Sequence, residues 1–339
     1  MTNPQPLRST ANPVPVRRAG SIRRTTSIDV TWPDGPEGNR LLTGRSRDIL
    51  TMPSGQPDKV RAEAAMTAMI DFHRTILSIS ADPAPARLQA LVGERGGGHL
   101  RGVLREVLPE LIEQGSPLYL LLDDISGTSL VSHWGMSQWL PGWQERMRKF
   151  AEDSSPEFSL LADRVGVCWG FREGSAVNTN PELHITTAEA ADGKDLRNPA
   201  DPDGWHAFPQ HDGMAFRRAR RIDVWREDGA IRIEASFQDS APRPDGGRAA
   251  LHEYVLHVSV DAASQTITGL EPEPRVLPFW DCPGAIANAL KLVGTPLGHI
   301  RDTVLSDLRG PKGCTHLNDA LRALGEVPGL IGFMDRELA

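Results

Sequence analysis

The 339-residue sequence contains no apolar run approaching the roughly 18 residues that a bilayer-crossing helix needs. A membrane span is therefore excluded. It also lacks a basic excess: 37 Lys and Arg stand against 44 Asp and Glu, for a net charge of −7 and a pI of about 5.8. That balance argues against a nucleic-acid partner, whose proteins show clustered positive charge. The N-terminal MTNPQPLRSTANPVPVRRAG has arginines but no apolar h-region, so it is no secretory signal; residues 1–20 read as a flexible tail. Cysteine is scarce. Three residues without a regular framework point away from disulfides and toward a reducing cytoplasm, with free thiols or metal ligands. What is present is a 39% hydrophobic fraction, enough for a real core and about two domains, with 27 prolines and 32 glycines marking many loops.

The chain repeats itself. RRTTSIDVTW (23–32) is matched by RRARRIDVW (217–225), and each is followed by a strand-like stretch ending in an acid, LLTGRSRDI (41–49) and RIEASFQDS (232–240). A paired strand follows in each, at 65–83 and at 253–274. Then come ARLQALVG (86–93) and NALKLVG (288–294), GHLRGVLREVL (98–108) and GHIRDTVLSDL (298–308), and finally PLYLLLDDI (117–125) and GCTHLNDAL (313–321). Six matches in one order predict an internal duplication. Period-2 strands alternating with helices give an α+β fold of two pseudo-equivalent repeats, each an antiparallel sheet with helices on one face. The boundaries are a first repeat at 21–140, a connector with a helix and a Pro/Asp/Gly loop at 141–212, and a second repeat at 213–339.

The second repeat has side chains that the first lacks. In WDCPGAIANALKLVG (280–294), Pro283 suits the first helical turn and Gly294 the C-terminal cap, so Cys282 falls at the helix start. In GPKGCTHLNDALRALG (310–325), the stripe Leu317, Ala320, Leu321 and Leu324 predicts a helix that Cys314 opens and Gly325 ends. A helix N-terminus lowers a thiol's pKa, so both cysteines are expected to become thiolates. With His316 two residues past Cys314 and His252 on a preceding strand, the set His252, Cys282, Cys314 and His316 suits a tetrahedral metal, Zn²⁺ or mononuclear iron. The matching positions of the first repeat, Ala81, Tyr119 and Leu121, cannot bind one.

Around GPKGCTHLNDALRAL the chain resembles domain-of-unknown-function family 2889, over RRTTSIDVTW, LYLLLDDISGTSLVS, RRARRIDVW, LHEYVLHVSVD and RVLPFWDCPGAIANALKLVG. The resemblance implies a bacterial protein, with the family's motif residues falling on His252, Cys282, Cys314 and His316. A more distant likeness is to the U-type iron–sulfur cluster scaffolds. In that register Cys282 and Cys314 coincide with two scaffold cysteines and His252 with the acidic ligand. Ala250 stands where the first scaffold cysteine should be, and the neighbouring histidine is displaced to His316. The likeness therefore implies a mixed Cys/His site rather than a three-cysteine cluster.

Other features carry competing readings. Asp123 and Asp124 could form a catalytic carboxylate pair or a turn or cap. His133, Trp134, Trp139 and Trp143 could line a pocket or pack the connector onto the core. Cys168, alternating with valines, reads as a small core residue. Arg217, Arg218, Arg220 and Arg221 read as a solvated strand face or an anion site. The expected function is metal-dependent chemistry, of lyase or hydrolase type, on a small organic substrate bound between the repeats, in the cytoplasm and without nucleic acid or membrane. A metal-independent cysteine nucleophile, served by His316 or His252, and a metal or iron–sulfur carrier are the rival readings. Oligomeric state is unknown from the sequence.

Overall fold

The computed structural model describes residues 10, 14–53, 55–154, 165–179, 191–193 and 195–339. Among these, nine strands form one antiparallel sheet: β1 (Ser21–Thr31), β2 (Arg40–Thr51), β3 (Lys59–Ile70), β4 (Ile76–Asp82), β5 (Ala191–Gly193), β6 (Ala215–Glu227), β7 (Ala230–Pro242), β8 (Arg248–Asp261) and β9 (Ile267–Val276). The order is β4-β3-β2-β1-β6-β7-β8, and β8 pairs with β5 at one end and with β9 along the rest. The helices are α1 (Gly98–Val107), α2 (Pro109–Glu113), α3 (Pro117–Val131), α4 (Trp143–Ser154), α5 (Ala176–Thr179), α6 (Ile286–Ala289), α7 (Ile300–Asp307), α8 (Thr315–Ala323) and α9 (Val327–Leu338).

The expectation of two sheets needs correction. The meanders β1–β4 and β6–β9 join edge to edge, because β1 and β6 pair antiparallel from Ser21↔Trp225 to Thr31↔Ala215. Joining removes two exposed strand edges at once. It also makes β1 and β6 central strands, buried over nearly their whole length. On one face Ile22, Ile28, Val30, Phe216, Ile222 and Val224 enter the helix-covered core. The other face is also covered at its centre, where Trp205 and Phe208 of the connector pack on Ala219 and Val14. Of the expected N-terminal tail, residues 1–9 and 11–13 lie outside the described residues, while Val14 is buried and Arg17 pairs with Asp201. The helix expected over the connector forms as α4; residues 155–164 lie outside the described residues.

Burial on both faces overturns the solvated reading of the arginines. Arg217, Arg218, Arg220 and Arg221 are all buried. Arg217 pairs with Asp29 at 2.8 Å, Arg218 with Asp239 at 2.8 Å, Arg220 with Asp124 at 2.6 Å, and Arg221 with Asp223 and Glu234. A buried charge persists only when paired and hydrogen-bonded, and each acid here comes from another strand or helix or from the next rung of β6.

One arrangement recurs in both meanders. Arg24 holds Asp48 across β1 and β2 through two bonds of 2.6 and 2.7 Å. Arg218 holds Asp239 across β6 and β7 through two bonds of 2.8 and 2.9 Å. A bulge follows each aspartate, between Asp48 and Ile49 and between Asp239 and Ser240. On the next strand Ala62 stands opposite Asp48, and His252 stands opposite Asp239.

On the connector-covered face His206 lies between Thr25 Oγ1 at 2.9 Å and Ser27 Oγ at 2.7 Å. Burial, with the neighbouring arginines, pushes its imidazolium pKa down to about 3. The unfolded chain takes up this proton near pH 6.5 and the folded chain does not. Stability linked to His206 is thus present above about pH 6.5 and is lost as pH falls toward about 3, by up to ~1.4 kcal/mol per pH unit. Between pH 7 and 4.5 aspartates stay mostly ionised, since their ordinary value is about 3.9. Urea unfolding of His206→Gln between pH 7 and 4.5 should show a shallower decline than the parent chain; parallel declines would contradict this account.

Candidate metal centre

The second meander and α8 build the site. On β8, His252 and Tyr254 are two residues apart and share the helix-facing side of the sheet. At the start of α8, Cys314 is the N-cap in extended conformation (φ −112°, ψ 128°), and His316 follows it by two residues. Residues two apart near a helix start point in nearly opposite directions at 3.6 residues per turn. The result is two rungs instead of one. His316 stacks on His252 with ring centroids 3.5 Å apart, and Tyr254 directs its hydroxyl to Cys314 Sγ at 3.9 Å.

In the first rung, His252 Nδ1 lies 3.0 Å from Asp239 Oδ2. Asp239 is also gripped by Arg218, whose Nη1 reaches Asp319 at 3.1 Å. Burial works against the charge of Asp239, but the Arg218 guanidinium holds its carboxyl well below the usual carboxylate range. The carboxylate therefore accepts from Nδ1–H of His252 and leaves Nε2 with a free lone pair. Burial pushes the His252 pKa down against the pull of Asp239, and it pushes His316 well down, reinforced by the adjacent His252. Both rings are neutral near pH 7, the form that binds metal. Phe237 lies parallel to His316 at 6.2 Å, and His316 alone of the trio keeps partial solvent exposure.

Among the described residues, one trio of possible ligands has all its donor atoms within 4.8 Å of one another: Asp239, His252 and His316. Neither Cys282 nor Cys314 joins it. The expected thiolates are also corrected. Burial pushes Cys282 well above the ordinary thiol range and Cys314 up to about 11, each reinforced by neighbouring cysteines. Desolvation outweighs the helix-start dipole, so both are thiols at neutral pH and neither is a ready nucleophile. The segment expected as one helix from Cys282 is a broken series, with 3-10 turns at Cys282–Ala285 and Leu290–Leu292 flanking α6. The helix that Cys314 opens, α8, stops at Ala323, and the 3-10 turn Leu324–Glu326 that holds Gly325 leads into α9.

Asp123 and Asp124 lie mid-helix in α3, neither in a turn nor at a cap. Asp124 receives both nitrogens of Arg220 at 2.6 Å; Asp123 meets Arg101 at 3.1 Å and Arg322 at 3.2 Å. With Asp239 and Asp319 they form four buried acids facing four arginines, Arg101, Arg218, Arg220 and Arg322. This pairing leaves neither acid poised as a free base. Trp134 is buried in a core cluster with residues of both meanders, Trp32, Phe216 and Leu251 among them. Trp139 lines a cavity of about 490 Å³ on the opposite face of the sheet, with Phe208, His211, Arg217 and Arg248. Asp239 escaped the sequence reading, and Arg218 entered it only among four arginines read as a solvated face or an anion site, although the acid near the end of both RIEASFQDS and LLTGRSRDI was the signal for the pair.

Residues 216–329, about a third of the chain, match the family described as Protein of unknown function (DUF2889). That segment holds β6 to β9, α6 to α8 and the trio. No curated protein and no solved structure matches the chain. No helix among the described residues is long and apolar enough to cross a membrane.

Proposed function

We propose that this chain is a metal-binding protein in which His252 and His316 hold a transition-metal ion, Zn²⁺ or mononuclear iron, for chemistry on a small organic substrate. The observation that carries the reading is a pair of neutral imidazoles in face-to-face contact, His316 half-buried and His252 buried and oriented by a carboxylate through Nδ1. Carboxylate, histidine and metal in sequence is the usual way an imidazole ligand is oriented and made more basic. Two nitrogens with one nearby carboxylate suit iron or zinc and leave positions open for water or substrate. A metal held there would polarise a bound water or carbonyl. Cys282 and Cys314 lie on the next rung and would shape its surroundings.

We also read the two meanders as copies of one ancestral unit. In support, the Arg24–Asp48 pair and its bulge occupy the place of Arg218–Asp239, and Ala62 the place of His252. The first copy then keeps the carboxylate support but has no ligand upon it.

Elemental analysis of purified protein tests the metal. The parent chain should carry stoichiometric zinc or iron, and His252→Ala and His316→Ala should each carry next to none while still folding. A metal-free parent chain whose melting temperature ignores added Zn²⁺ and Fe²⁺ would sink the reading, as would variants that retain the metal.

A further inference from the structure

The connector-covered face of the sheet carries a group that the metal reading does not use. Its cavity of about 490 Å³ has the size of a small-molecule site. Among the described residues four arginines border it: Arg197, Arg217, Arg243 and Arg248. Three are matched by acids, Arg197 by Asp195, Arg217 by Asp29 and Arg243 by Asp192. Arg248 is the exception. No carboxylate among the described residues is in ion-pair contact with it. Its Nε donates to Ser240 Oγ at 3.0 Å and its Nη2 to Ser240 O at 3.1 Å, which leaves Nη1 without a partner.

A partly buried guanidinium without a counter-ion is costly. The acids whose charge reaches Arg248, Asp29 and Asp195, are each already held by another arginine. Burial, and then the neighbouring Arg217, push its pKa down to about 10. Asp212, the remaining acid of the wall, is exposed to solvent. A second polar group of the same wall is also unsatisfied. Gln238 is 3% exposed, and its Nε2 donates to Glu253 at 2.7 Å. That bond fixes the amide and leaves Oε1 buried with no donor. Gln238 and Ser240, the residue Arg248 grips, are successive positions on this face of β7, roughly 7 Å apart along the strand. The apolar walls are held in place. Trp139 Nε1 donates to Pro242 O at 2.9 Å, and the Arg217 guanidinium lies 4.3 Å over the Phe208 ring.

We infer that this cavity binds a small hydroxy carboxylic acid. Its carboxylate meets Arg248, its hydroxyl donates to Gln238 Oε1, and its apolar part lies against Trp139 and Phe208. One uncompensated cation matches the single charge of a carboxylate, whereas a phosphate monoester brings about 1.5–2 charges at pH 7. The carboxylate supplies the counter-ion that Arg248 lacks, and the hydroxyl satisfies the buried acceptor. The site lies on the sheet face opposite the histidines and does not depend on a metal there.

The probe is 3-phenyllactate, which joins a carboxylate, a hydroxyl and an aromatic ring. Titrated calorimetrically into the full-length protein, it should bind saturably at one equivalent per chain. Arg248→Met should weaken binding by more than about tenfold, as the loss of a charge-assisted contact demands, with its melting temperature confirming the fold. The parent chain should bind 3-phenylpropionate, which lacks the hydroxyl, several-fold more weakly, and Gln238→Met should erase that difference. No saturable binding of 3-phenyllactate, tighter binding of phenyl phosphate, or unchanged affinity in Arg248→Met overturns the site. His252→Ala should bind 3-phenyllactate as the parent chain does; loss of binding there would move the ligand to the histidines and overturn the separation. A metal-free parent chain that still binds 3-phenyllactate would sink only the function proposed above.

Discussion

An Arg218→Ala chain is expected to lose about 3–5 kcal/mol of unfolding free energy, the cost of leaving buried charge without its partner. The guanidinium is 1% exposed and binds Asp239 through two nitrogens, touches Asp319 at 3.1 Å and lies 3.8 Å from Asp124. Its removal strands Asp239, and through Asp239 it frees the His252 ring to reorient. Metal content should fall together with stability. The pH dependence has a definite sign. In the parent chain the Asp239 carboxyl is held low, so its pairing contributes stability above about pH 4 that is lost as pH falls through the folded value. In the variant the largest opposing charge is gone and His252 is left to counter burial, so that carboxyl rises and the deficit should shrink once the acid takes up a proton. Urea unfolding at pH 7 and pH 4.5 reads both effects. Arg218→Lys should recover only part of the loss, because an ammonium cannot grip a carboxylate through two parallel bonds. A deficit under about 1 kcal/mol at pH 7 would place the ion pair among the weak ones and deny it a role in orienting His252.

Much of the chain's texture is readable in its residues, because strands and helices follow local periodicity. The pairs at 41–49 and 232–240 are strands β2 and β7, the Gly-His-aliphatic-Arg segments lead into α1 and α7, and Cys314 does open a helix. What escaped depends on partners far away in sequence. Arg220 looks like a surface residue until Asp124, 96 positions earlier, is placed beneath it. Cys168, by contrast, is buried as its reading as a small core residue requires, although the flanking Val165 and Val167 are half exposed. The four residues taken as one tetrahedral set are spread over two rungs by simple geometry, since His252 and Tyr254 are successive inward positions on β8. The predicted acidity of the helix-start thiols rested on the dipole alone. The dipole is worth under ~2 kcal/mol, whereas complete burial can shift a group by several pKa units.

Gly127→Ala should destabilise the protein by about 2–4 kcal/mol, opposite in sign to what helix propensity dictates. Gly127 lies inside α3, where alanine ordinarily gains up to about 1 kcal/mol over glycine. Here a Cβ would overlap Arg218 Nη1 and come within 2.6 Å of Asp319 Oδ2. Those two atoms belong to the same ion pair, and neither side chain has room to retreat: Arg218 is also held by Asp239, and Asp319 by Arg322 at 2.7 Å. The methyl must displace α3 from the sheet or break the pair, and either outcome costs more than propensity returns. Gly102 in α1 is the internal control, since it is exposed and a Cβ there meets nothing within 4 Å. Gly102→Ala should be neutral or stabilising by up to about 1 kcal/mol. If both substitutions stabilise alike in thermal unfolding, the buried charges are looser than these contacts require. If Gly127→Ala falls while Gly102→Ala holds, the missing side chain at position 127 is what lets α3 close over the arginines of β6, and with them over the carboxylate that aims His252.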